Sequence, residues 1–206
     1  MDFPRADFHA CLTPDERTLV DRLNTPEAIQ AFLAEEVTYN FEPDGATAHG
    51  PLEVLRRRQG HCFEGALLAA ALFWYHGVDP LLVLLEAPED FDHNLIIYTR
   101  DGKFGCVSQS RHAKLRGKPA IYATLRDLVM AYYPDYTSDW TNDPNDYTLR
   151  GFSTPIDLRR YGTAWVTAPQ VWDIYHTFIE GVPLEKLFPE NESDRIYFYP
   201  EEHLRE

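Results

Sequence analysis

Gly60-His61-Cys62-Phe63-Glu64-Gly65-Ala66-Leu67-Leu68-Ala69-Ala70-Ala71-Leu72-Phe73-Trp74-Tyr75-His76-Gly77 is the stretch on which the reading of this 206-residue chain turns. From Phe63 to His76 it is Ala/Leu-rich and almost wholly apolar, so a helix here is buried on all sides and central to its fold. Gly60 breaks the preceding helix and Gly77 ends this one. Cys62 then falls in the first turn, where unpaired amide hydrogens and the helix dipole favour negative charge. A thiol pKa of roughly 8.5 falls to about 3.5–7.5 in such places.

Downstream, Leu81-Leu82-Val83-Leu84-Leu85 is a continuous apolar run that suits a strand covered on both faces. His93 to Arg100 reads as a second strand, and Asp101-Gly102 is a tight-hairpin signal returning through Lys103 to Ser108 as a third. Tyr122 to Tyr133 has helical periodicity, Tyr147 to Phe152 suits another strand, and Pro169 starts a helix running through Phe178. Ile196 to Tyr199 is an edge strand or an ordered tail. Upstream, Thr13-Pro14-Asp15-Glu16 forms a capping box and Thr25-Pro26-Glu27 repeats the start signal. A further short helix is expected from Pro51 to Arg58. The expectation is one α+β domain over residues 1–206, with an antiparallel sheet packed on a central helix that carries Cys62 at its N-terminus. Its parts are a helical segment to about residue 60, a core over 61–136 and an extension over 137–206.

Lys and Arg number 19 against 33 Asp and Glu, a net charge of −14. Such a surface repels phosphate backbones, so nucleic acid is not an expected partner. Apolar residues at 44% supply material for a core, yet no run of ~18 apolar residues marks a membrane span. The first residues lack the pattern of a secretory signal, and three cysteines are a sparse set, so the expectation is a cytoplasmic protein with reduced thiols. Cys62, His93, Cys106 and His112 lack zinc-ligand spacing, and no Gly-rich phosphate loop is present. No metal or cofactor is expected.

His93 opens the second strand, where a base can project over the N-terminus of a helix packed on the sheet. A cysteine at a helix start followed by a hairpin that opens with histidine resembles the transglutaminase-like branch of the papain-type cysteine enzymes. The matching stretch runs from about Pro51 to Tyr136. It includes Gly60-His61-Cys62-Phe63-Glu64, Asp92-His93 and Asp101-Gly102-Lys103-Phe104. Phe104-Gly105-Cys106-Val107-Ser108-Gln109-Ser110 and the Pro119, Tyr122, Arg126 segment resemble an uncharacterised bacterial group of that superfamily. The resemblance implies Cys62 as nucleophile and His93 as general base, acting on a peptide or protein amide.

The superfamily's orienting acid falls here at Ser108. A hydroxyl can accept the histidine's N–H but carries no charge. Either catalysis is weak, another acid reaches in, or the site binds rather than reacts. The Cys62 amide, with Gln59, is a candidate oxyanion donor. Gly60 permits close approach of a substrate, and Ser110 and His112 are candidates to line the same cleft. Two readings follow, a thiol-dependent acyl-transfer enzyme and a catalytically weak binding module of the same fold.

Overall fold

The computed structural model of the protein describes residues 1–88, 90–141, 143–179 and 182–188. The segment Ile196 to Tyr199 lies outside the described residues. Helices come first: α1 (Arg5–Cys11), α2 (Pro14–Arg22), α3 (Pro26–Glu35), α4 (Pro51–Arg57) and α5 (Cys62–Tyr75). The helix starts follow their caps. Thr13 Oγ1 accepts the Glu16 N–H at 3.2 Å and the Glu16 carboxylate accepts the Thr13 N–H at 2.8 Å. Thr25 accepts the Ala28 N–H at 3.1 Å. The first helix was not expected from the sequence. Its buried residue is Phe8, which packs against Phe3 and Tyr75, so tertiary contact rather than periodicity sustains a seven-residue helix.

The sheet is built from β1 (Leu81–Glu86), β2 (His93–Arg100), β3 (Lys103–Val107) and β4 (Lys118–Tyr122). After α6 (Leu125–Met130) it is completed by β5 (Gly151–Ser153) and β6 (Ile156–Asp157), with β7 (Leu184–Lys186) following α7 (Trp172–Ile179). The path is β4-β3-β2-β1-β5-β7, with β6 also on β1, and every pairing is antiparallel. Asp101 and Gly102 take positive φ of 51° and 72°, as the tight turn between β2 and β3 requires. The expected helix from Tyr122 starts later, because Lys118–Tyr122 pairs with β3 as an edge strand. The strand expected over Tyr147 to Phe152 is the shorter β5, since Tyr147 instead bridges Thr137.

Strand alternation splits the core into two layers. Leu82, Ile96, Tyr98 and Val107 face α5 and the other N-terminal helices. Val83, Leu85, Leu95, Ile97 and Cys106 face the opposite layer, with Leu128 and Val129 of α6, Tyr132 and Tyr136. The protein is thus a mixed α and β structure whose antiparallel sheet is covered on both faces, which is why β1 is apolar from Leu81 to Leu85. Residues Phe63 to Tyr75 of α5 are all buried. Gly65 lets that helix close on its neighbours: an added Cβ would lie 2.4 Å from Gln109 Cβ. Among the described residues, no helix is long and apolar enough to cross a membrane.

Candidate active site

The start of α5 is assembled around a buried carboxylate. His61, extended at φ −82° and ψ −175°, caps the helix, and Cys62 is its first residue. Glu64 is fully buried. It accepts the His61 N–H at 3.1 Å, Asn40 Nδ2 at 3.2 Å, Thr47 Oγ1 at 2.7 Å and the His49 N–H at 2.8 Å. These donors pin the 40–49 loop over the helix entrance. Burial alone would raise the Glu64 pKa, but the His61 imidazole and these donors outweigh it and hold the carboxyl below its usual range.

Cys62 is half-buried, and its sulfur collects hydrogen-bond donors. Asn94 Nδ2 lies 3.6 Å from Sγ, and the His61 and His93 imidazoles stand close enough to act on its charge. As a thiol, Sγ can also donate to the Asp92 carbonyl at 3.7 Å. Burial pushes the thiol up, but the two imidazoles more than reverse this and bring its pKa down to about 5. His61 moves the opposite way. Burial works against its charge, yet the charges of Cys62 and Glu64 and the Thr47 carbonyl raise its pKa to about 9. Its Nε2 lies 3.3 Å from the Thr47 carbonyl and 3.6 Å from both Glu42 Oε1 and Glu64 Oε1. Between pH of about 5 and about 9, therefore, a thiolate faces an imidazolium. The sequence reading passed over His61 as a chemical group, although its place immediately before a helix-starting cysteine was a usable signal.

His93 is held from its far side. Nε2–H donates to the Leu115 carbonyl at 2.8 Å, which fixes that tautomer and leaves Nδ1 as the basic ring nitrogen. Ser108 does not accept from the histidine as expected. Its Oγ donates to the same Leu115 carbonyl at 3.1 Å. The reason is that the chain after β3 folds back through a single helical turn at Ala113–Leu115, bringing a backbone acceptor within closer reach of the ring. A main-chain carbonyl has no side-chain signature, so no sequence signal could have found it.

Other expected residues lie as follows. Tyr39 lines the same cleft as Cys62, where the amide and Gln59 were anticipated as oxyanion donors. Burial, then the Cys62 charge, raises the Tyr39 hydroxyl above its ordinary pKa. Gln59 bridges Thr38 through its backbone and is absent from the cleft lining. Gly60 is buried and packs closely on α4, with an added Cβ 3.1 Å from Val54 Cγ1, and it does not line the cleft. Ser110 and His112 do border a small recess shared with Cys62 and His93. There Ser110 Oγ accepts the His112 N–H at 3.1 Å, and His112 Nε2 lies 2.9 Å from Asp139 Oδ1. Cys106, by contrast, is sealed against Tyr132, and burial pushes its thiol up to about 11.

Cys62 opens on a cleft of about 580 Å³. Phe41 and Phe91 stand exposed on its walls, and four carboxylates, Glu42, Glu86, Asp90 and Asp92, line it. Arg111, which also lines it, is ion-paired with Asp139 and lies 5.0 Å from the Phe91 ring centroid. Among the described residues, no group of three or more His, Cys, Asp or Glu is placed to hold a metal ion.

No family model matches the chain, and no curated protein matches it. A solved structure of Legionella pneumophila LapG (EGTA-treated) is similar at a TM-score of 0.36 and 18% identity, over 55% of this chain and 76% of that one.

Proposed function

We propose that this chain is a transglutaminase-like cysteine enzyme that transfers acyl groups from amide bonds, with water as the usual acceptor. The observation that carries the reading is the Cys62 sulfur, placed at a helix N-terminus on a cleft it shares with His61 and on a recess it shares with His93. The thiolate attacks an amide carbonyl carbon, a C–S bond forms and the π pair moves to oxygen. The Cys62 amide and the Tyr39 hydroxyl, both on the cleft, stabilise that oxyanion. Collapse expels the amine, which takes its proton from the His93 imidazolium and leaves a thioester. His93 Nδ1 then removes a proton from water, whose oxygen displaces the thiolate and releases a carboxylic acid. His61, charged up to a pH of about 9, stabilises the thiolate throughout. The carboxylates around the cleft favour protonated amines, which are poor nucleophiles, so hydrolysis is preferred over amine transfer.

One observation favours a second reading. The acceptor on His93 Nε2 is a neutral carbonyl, which stabilises imidazolium less than a carboxylate does. A module of this kind would acylate but turn over slowly. An activated ester distinguishes the two. With p-nitrophenyl acetate, the enzyme reading expects a burst of nitrophenolate stoichiometric with the chain, acetyl on the Cys62 peptide, and continued release afterwards. A burst without further release supports the weak module. No burst above that of Cys62→Ala overturns both.

A further inference from the structure

The β1–β2 register places Leu85 opposite His93 and Leu84 opposite Asn94. Just beyond the last pair, Glu86 and Asp92 both line the mouth of the cleft, and the Asp92 carboxylate accepts the Ala87 N–H at 2.9 Å. Like charges facing each other across antiparallel strands are destabilising. Glu86 is half-buried, and burial followed by the Asp92 charge raises its pKa, against a partial opposing pull from Lys186. Asn94, on the same face, supplies an independent sign of a missing ligand. It is only 6% exposed, and its Oδ1 has no hydrogen-bond partner. A thiolate can only accept, so the Asn94 amide must turn its N–H to Cys62, leaving Oδ1 as a buried, orphaned acceptor on a residue that lines the cleft. Buried polar atoms are rarely left unpaired without a functional reason.

We propose that the cleft selects amide substrates carrying a cationic, N–H-donating group on an aliphatic stem beside the scissile bond, a lysine- or arginine-like side chain. Its N–H groups satisfy Asn94 Oδ1 and sit between Glu86 and Asp92. The exposed faces of Phe41 and Phe91 receive the stem and the spread positive charge. Arg111 does not compete for these acids, being ion-paired with Asp139.

The inference rests on the acyl-transfer reading, and the test separates the two. Methanethiosulfonate reagents of similar size bearing a trimethylammonium, a sulfonate or no charge are reacted with the whole protein, and modification of Cys62 and of the exposed Cys11 is followed by peptide mapping. The cation-to-anion rate ratio at Cys62 is expected to exceed that at Cys11 at least ~10-fold at low salt. Glu86→Gln and Asn94→Leu should each lower that excess several-fold, and salt should lower it further. Equal ratios at the two cysteines would overturn the cation preference while leaving acyl transfer standing. A neutral reagent that modifies Cys62 no faster than Cys11 would overturn the acyl-transfer reading, and this inference with it.

Discussion

Replacing His93 by alanine is expected to slow both acylation and deacylation by ~10²–10⁴-fold, with no recovery at alkaline pH. The histidine is pinned through Nε2 to the Leu115 carbonyl and is the group that ferries a proton between sulfur, amine and water. Losing it removes that route at every pH. His61→Ala should behave differently. His61 stands beside the sulfur and borders Glu42 and Glu64, so its task is to hold the thiolate, not to carry protons. Its charge is present below a pH of about 9 and lost as pH rises through that value. The Cys62 thiolate is present above a pH of about 5 and lost as pH falls through it. Without His61 the thiol pKa rises, so activity drops near neutral pH and returns as the solution is made alkaline. Ser108→Ala removes one neutral hydrogen bond to the Leu115 carbonyl, worth about 0.5–1.5 kcal/mol, and should cost only about two- to tenfold. Deacylation rates of the acyl-enzyme check His93→Ala and Ser108→Ala, and ester-acylation rates from pH 5 to 9 check His61→Ala. A His93→Ala defect below tenfold, or one rescued by alkali as for His61→Ala, would show that His93 is not the base.

The largest loss of stability is expected at Glu64. Its carboxylate is fully buried and satisfies two backbone N–H groups and two side chains. Glu64→Ala leaves those donors unpaired in the interior and strips the buried His61 of a negative neighbour 3.6 Å away. Breaking one side of such an arrangement costs about 3–5 kcal/mol. In a chain of this size that lowers Tm by roughly 6–20 °C. Glu64→Gln keeps the shape and two of the acceptor positions, and should lose less than half as much. The sign with pH follows from the lowered carboxyl pKa. The stabilisation is complete above the ordinary carboxylate range and vanishes as pH falls below it, so wild type and Glu64→Ala should converge in acid. Calorimetry at several pH values measures this, and a Tm change under 2 °C at pH 7 would contradict the role given to Glu64.

Much of the fold was legible because local chemistry and tertiary packing agree. Thr13 with Glu16, Asp101 with Gly102, and the unbroken apolar run of α5 each admit few structures, and they adopt the expected ones. Where packing decides, the sequence was silent. Helix α1 depends on Phe8 meeting Tyr75 from the far end of α5, and β4 forms because β3 offers it an edge. At the site, Cys62 and His93 could be picked out by residue type, and the fold sets both on one recess. Ser108 was located but given the wrong partner, because the acceptor for His93 is the Leu115 backbone and depends only on how the chain turns. Tyr39 and His61 were missed for a related reason. Tyr39 reaches the helix start from a loop some twenty residues upstream, and His61 looked like spacing until the fold set it beside the sulfur.

The central claim is that Cys62 is a thiolate at neutral pH, and it is tested most directly by titrating the ultraviolet thiolate absorbance of the native protein and subtracting that of Cys62→Ser. A midpoint of about 5 is the expected result. A midpoint near the ordinary thiol value of about 8.5 would contradict it, because the two imidazoles would then not be holding the sulfur.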